Sequence, residues 1–206
     1  MKVLLINGSP HEKGCTYTAL SLIAGELKAQ GIETEILHVG GQPVGGCIGC
    51  GGCRSGNGCV FGGVVNEAIE KAKTADGFVF GSPVHYASAS GNMTSFMDRL
   101  AYAGGKYLAY KPAAICCSAR RAGTTSTLDQ LVKYPQFFHM PLVNGSYWAM
   151  VHGSNPEQVL QDAEGCAVMQ ELGRNMAWLL RCIEAGKAAG IDHPQNPPRP
   201  MTSFIR

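Results

Sequence analysis

No stretch of this sequence approaches the roughly 20 consecutive apolar residues that a bilayer-spanning helix needs, so no membrane association is expected. Charge is scarce as well. Only 16% of the 206 residues are charged and the net charge is +2, too weak a field to draw nucleic acid or a membrane surface. A small carrier that docks through an acidic face would be more negative. Neither Gly-x-Gly-x-x-Gly nor Gly-x4-Gly-Lys-Ser/Thr follows the first strand, which excludes a dinucleotide fingerprint and a P-loop there. The Ser, His and Asp residues form no pattern that points to a hydrolase. There is no internal repeat and no low-complexity segment. The start, Met1-Lys2-Val3-Leu4-Leu5-Ile6-Asn7, runs straight into a glycine turn and is too short for a signal peptide. The nine cysteines are an odd number, against a complete disulfide framework. A cytoplasmic protein with reduced thiols is expected.

What is present is an ordinary globular balance, 45% hydrophobic, in a chain long enough for one domain with a sizeable core. Residues 3–6 are a continuous apolar run, suited to a strand buried on both faces. Helical spacing follows over 16–30, with Gly31 as the stop. Further strands are predicted at 34–39, 78–80, 113–117 and 142–151. Helices are predicted around the stripe Val65, Ala68, Ile69 and Ala72, and at 91–103, 125–132 and 157–185. Pro141 suggests that the fifth strand lies at a sheet edge. Five strand–helix alternations imply an α/β fold: a doubly wound, five-stranded parallel sheet with helices on both faces. The expected domain is 1–190, with a cysteine-rich loop over 40–63 and an irregular tail over 191–206 that packs on a neighbouring subunit or stays mobile.

Two loops carry binding chemistry. After the first strand come Gly8, Ser9, Pro10 and His11, then Cys15 and Thr16 where a helix opens. Ser9, Thr16, Thr18 and backbone amides at a helix N-terminus suit a monophosphate held without metal. An ordinary turn with a threonine cap is the competing reading. After the third strand comes Gly81-Ser82-Pro83-Val84-His85-Tyr86. In a sheet of order 2-1-3-4-5 a ligand binds outside strands one and three. Pro83, Val84, His85 and Tyr86 there can face a planar ring system. The loop after strand four holds Ser118, Ala119, Arg120, Arg121 and Gly123, and an arginine there suits negative charge on a reduced flavin.

The sequence also crowds Cys47, Cys50, Cys53 and Cys59 into one glycine-rich loop, spaced C-x2-C-x2-C-x5-C. So many thiols at this density suit an iron–sulfur cluster. Zinc, whose structural ligands more often come as two separated pairs, a disulfide and an empty loop stay open. Cys59, beyond Ser55-Gly56-Asn57-Gly58, is the least fixed of the four. Cys116, Cys117, Cys166 and Cys182 are expected as buried small hydrophobes.

The stretches Gly8-Ser9-Pro10, Gly81-Ser82-Pro83-Val84-His85-Tyr86 and Phe96-Met97-Asp98-Arg99 together resemble the NADPH-dependent FMN reductase family, which has the flavodoxin-like fold. The likeness runs from residue 1 to about 186. The cysteine loop resembles that of the iron–sulfur flavoproteins. The resemblance implies FMN, a homodimer or homotetramer, and a [4Fe–4S] cluster on Cys47, Cys50, Cys53 and Cys59. It further implies hydride from NAD(P)H and delivery of electrons to a quinone, a free flavin, another small acceptor or a redox protein. An electron carrier without its own nicotinamide site and a non-catalytic flavin-binding regulator are the alternatives. Two departures stand out: Gly62-Gly63 replaces acidic residues that would cap the second helix, and His11 stands where relatives often carry arginine.

Overall fold

The computed structural model of the chain describes residues 1–202 and 204. Five strands lie parallel: β1 (Lys2–Asn7), β2 (Glu33–His38), β3 (Gly77–His85), β5 (Ala113–Ala119) and β6 (Met150–His152). Their order is β2-β1-β3-β5-β6, so the parallel strands alone follow the expected 2-1-3-4-5. A sixth element, β4 (Ser88–Ala89), pairs antiparallel with the end of β3 and was not anticipated. Helices α1 (Cys15–Ala29), α2 (Val64–Thr74), α3 (Gly91–Gly104), α4 (Thr124–Phe137), α5 (Pro156–Val159) and α6 (Ala163–Ala188) complete the fold.

Strand periodicity explains the two cores. In β1, Leu4 and Ile6 face one side with Phe78, Phe80, Phe96 and Met97. Val3 and Leu5 face the other with Leu20, Ile23, Val79, Leu172 and Met176. Both sets are sealed from water. At about 1.5–3 kcal/mol for each large apolar side chain, this burial is what holds the sheet between its helix layers.

Three expectations need correction. The long final helix over 157–185 is two helices: α5 ends at Val159, and Asp162 starts α6. Its Oδ1 accepts the Gly165 N–H at 2.9 Å, an N-cap bond, while Oδ2 accepts the His152 N–H at 2.7 Å. Leu160, inside the expected helix, lies exposed in that break. The fifth strand over 142–151 pairs only through an isolated bridge at Leu142 and the short ladder of β6. Between them the chain bulges away, with the Ser146 amide and hydroxyl both donating to Glu171 Oε2 at 2.7 Å. Finally, Cys116 and Cys117 are buried, but Cys166 is half-buried and Cys182 is exposed, because Cys182 falls off the apolar face of α6.

The tail over 191–202 forms no helix or strand. It turns back on its own chain: the His193 ring stacks on Tyr110 at 4.3 Å, and Asn196 Nδ2 donates to the Tyr110 hydroxyl at 2.7 Å.

Candidate flavin site and cysteine cavity

The carboxyl ends of β1, β3 and β5 converge. Asn7, fully buried at the end of β1, shapes the loop that follows. Its Oδ1 accepts the Ser9 N–H at 3.1 Å and its Nδ2 donates to the Glu12 carbonyl at 3.0 Å. Ser9 Oγ in turn accepts the His11 N–H. His38, closing β2, donates from Nε2 to the Ser9 carbonyl at 2.7 Å. Gly40 comes next, and a Cβ there would stand 2.1 Å from that same carbonyl oxygen, so only glycine fits. The Gly8 N–H donates to the Gly81 carbonyl at 2.9 Å, and Ser90 Oγ donates to the Gly8 carbonyl at 2.8 Å. The loops after β1 and β3 are therefore laced to one another.

Helix α1 opens at this junction. No side chain caps it and no carboxylate sits in its first turn. Its leading N–H groups and the positive end of its dipole are left for an anion. Thr16 is buried, with Oγ1 2.8 Å from Ser118 Oγ, which brings the start of α1 to the end of β5. Thr18 is not aimed at this junction, because its hydroxyl donates back to the Gly14 carbonyl at 3.2 Å. Cys15 is half-buried, its thiol pushed up by burial and 3.5 Å from the Gly153 carbonyl. His11 is exposed.

Beyond Pro83 and Val84 the chain makes the β3–β4 hairpin. His85 is exposed, and Tyr86 projects wholly into solvent from a left-handed backbone, φ 50°. Gly123, the residue before α4, lets that hairpin close: a Cβ there would lie 2.5 Å from Ala87 Cα. Ala119 is buried. Arg120 and Arg121 are exposed and, with Val84 and Tyr86, line a cleft of about 290 Å³. Neither arginine makes an ion pair among the described residues.

The cysteine loop is built differently. Between Gly40 and Gly63 its only regular piece is a 3-10 turn at Gly52–Ser55. All four cysteines nevertheless line one cavity of about 280 Å³, together with Arg99, Tyr102 and Ala103 of α3. Three side chains hold the loop. Asn92 accepts the Val44 N–H and donates to the Gly40 and Gln42 carbonyls. Asn66, on α2, accepts the Cys59 N–H at 2.8 Å and donates to the Cys59 carbonyl at 3.0 Å. Arg99 donates to Cys59 Sγ at 3.2 Å and to the Gly62 carbonyl at 3.0 Å. Cys59, expected to be the least fixed, is thus the most anchored. Gly63 caps α2 without any side chain, and Arg99 restrains the residue before it through the Gly62 carbonyl. Among the described residues, no three His, Cys, Asp or Glu side chains converge as a single metal ion would require.

Sequence reasoning missed Asn7, His38, Asn66, Asn92 and the task of Arg99. Asn7 alone carried a local signal, a buried-strand end followed by a turn residue that bonds two positions on.

The sequence profile described as NADPH-dependent FMN reductase matches residues 1–155, three-quarters of the chain. The chain belongs to the NADPH-dependent FMN reductase family. Membership makes it an FMN-dependent oxidoreductase with a flavodoxin-like fold. This family member is 28% identical over 192 residues to an iron-sulfur flavoprotein of Methanocaldococcus jannaschii, covering 89% of this chain and 100% of that one. An iron-sulfur flavoprotein of Methanosarcina thermophila is 23% identical over 192 residues, covering 91% and 99%. Among solved structures, RosB with a bound 8-demethyl-8-formylriboflavin-5'-phosphate intermediate superposes with a TM-score of 0.70 at 14% identity, covering 100% and 94%. An archaeal flavodoxin gives 0.59 at 14%, covering 88% and 99%. At such identity these structures bear on the fold alone, and they place this FMN reductase family member among flavodoxin-like proteins. No helix of the described chain is long and apolar enough to cross a membrane.

Proposed function

We propose that this oxidoreductase takes hydride from NADH or NADPH onto FMN and passes the electrons to a small acceptor such as a quinone or free flavin, with a [4Fe–4S] cluster on Cys47, Cys50, Cys53 and Cys59 as a second redox centre. One observation carries the flavin half: the uncapped start of α1 lies where the β1, β3 and β5 loops are laced together through Gly8–Gly81, Ser90–Gly8 and Thr16–Ser118. The amides of Cys15 and Thr16, with Ser9, hold the FMN phosphate, and His11 stands beside it. Pro83, Val84, His85 and Tyr86 flank the ring. Ser118, Ala119, Arg120, Arg121 and Gly123 close its pyrimidine edge, where exposed guanidinium groups favour the more negative reduced ring. Bound there, FMN accepts a hydride and can release its electrons singly or as a pair. The protein binds and orients; no side-chain nucleophile is needed.

The cysteine cavity supports the cluster half. All four cysteines line one cavity of about 280 Å³. Zinc would need all its sulfurs about 2.3 Å from one centre, whereas a [4Fe–4S] core takes four cysteines around one cluster. Two arginines and no carboxylate line the cavity, which suits an assembly of thiolates. A homodimer or homotetramer, a cytoplasmic setting and no nucleic-acid partner complete the proposal.

The decisive experiment is anaerobic purification followed by iron, sulfide and flavin analysis, then steady-state oxidation of NADH and NADPH with menadione. Stoichiometric flavin and cluster with turnover are expected. Flavin without turnover would favour a second reading, an electron carrier with no nicotinamide site. The exposed Ile48 and Tyr102 at the mouth of the cysteine cavity suit contact with a redox protein in that case. A preparation without FMN would overturn both.

A further inference from the structure

Arg99 is 7% exposed, and no carboxylate pairs with it among the described residues. Its neighbour Asp98 is turned away, accepting a bond from the Tyr134 hydroxyl at 2.6 Å. The partners of the guanidinium are the Cys59 sulfur, the carbonyls of Gly45 and Gly62, and the face of Phe61 at 5.6 Å. Carbonyls and a ring solvate a cation but do not neutralise it, and a buried charge is costly without an opposite one. Arg99 borders two cavities, one of about 760 Å³ whose lining includes Glu12 and His38, and the one it shares with the four cysteines; the missing negative charge fits the second, where Arg99 Nε already donates to Cys59 Sγ. Four thiolates around an iron–sulfur core are anionic overall and would supply it.

We infer that Arg99 sets the reduction potential of this cluster, through its hydrogen bond to Cys59 Sγ and its uncompensated charge. The inference rests on the cluster reading above. When one electron enters the cluster, no bond breaks and no proton moves. The added charge spreads onto the ligand sulfurs, and an N–H···S bond from a cation stabilises that state more than the oxidised one. Arg99 therefore raises the potential. It acts on Cys59 in particular, whose backbone Asn66 already pins at both its N–H and its carbonyl. The other three cysteines have no such side-chain clamp among the described residues.

The test compares wild type, R99K and R99Q, loaded anaerobically with iron and sulfide and titrated with dithionite while the cluster is followed by EPR. R99Q should weaken the one-electron reduction equilibrium about tenfold or more, a potential about 59 mV lower. R99K, which keeps the charge but loses the fork, should fall between. Both should keep wild-type FMN content. A fully loaded R99Q with the wild-type potential overturns the inference and leaves the cluster reading standing. Loss of the cluster in both variants, with FMN and far-UV circular dichroism intact, also overturns it, because Arg99 would then only hold the loop. A wild-type protein that takes up no stoichiometric iron overturns the cluster reading itself, and the inference with it.

Discussion

The two candidate redox sites are held by different means. The flavin junction is made from the ends of parallel strands, and its seams close on backbone groups of the strand-end loops: the Gly8 N–H on the Gly81 carbonyl, the Ser90 hydroxyl on the Gly8 carbonyl, Gly40 against the Ser9 carbonyl. The cysteine cavity borrows almost nothing from the sheet. Its loop hangs on three side chains of α2 and α3, namely Asn66, Asn92 and Arg99. The first is a product of the fold, so any sequence with this topology has a crevice there. The second depends on particular residues and can be lost by point substitution without disturbing the core. Substitutions in one site should therefore leave the other measurable.

The largest effect is expected from replacing Cys47 and Cys50 together by serine. Bound iron should fall to background in the anaerobically loaded protein while flavin content is unchanged. Loss of FMN in that variant would break the comparison. Gly40→Val comes next, since its side chain must enter the space of the Ser9 carbonyl. Overpacking of this kind costs about 1–3 kcal/mol, readable as a lower urea midpoint, and here it should release flavin as well. Thr16→Ala removes a buried hydroxyl pair with Ser118. FMN affinity should drop about tenfold, or ~1.4 kcal/mol, with the iron content untouched; unchanged flavin retention would refute the role given to Thr16. Asn66→Ala frees both backbone groups of Cys59 and should speed loss of iron to a chelator without altering flavin binding.

The smallest effect lies away from both sites. Hydrogen bonds from Lys2 and Lys71 hold the Glu35 carboxyl below its ordinary value. A carboxyl depressed in the folded state contributes stability at pH values above its unfolded range and loses it as the pH falls through the folded value. Glu35→Gln should therefore lower the urea midpoint slightly at pH 7, by an amount that shrinks as the pH falls through the folded value. Neither redox centre should respond.

Most of the sheet was legible because its signals are local. The continuous apolar runs at 3–6 and 78–80 announce strands with no distant information. The order of the parallel strands follows from the alternation with helices. The end of the chain was harder, because apolar residues at helical spacing continue past Leu160 and only the cap at Asp162 breaks them. The β3–β4 hairpin left no trace: Tyr86 and Ala87 turn through positive φ without glycine or asparagine. In the cysteine loop the ligand candidates could be read from spacing, but their supports could not. Arg99 lies 40 positions from Cys59, and its contact is a property of how α3 packs, invisible to any local pattern. Cys59 accordingly looked loose beside Ser55–Gly58 when it is the best held.

The close approach of Gly40 to Ser9 has a practical side. The residue that leads into the cysteine loop touches the backbone of the loop between β1 and α1, and His38 grips the same carbonyl. A change at this leading end of the cysteine segment would be felt at the joint. The flavin proposed for this junction would thereby become a built-in gauge: its emission, followed while iron is added or stripped, would read the state of the neighbouring loop.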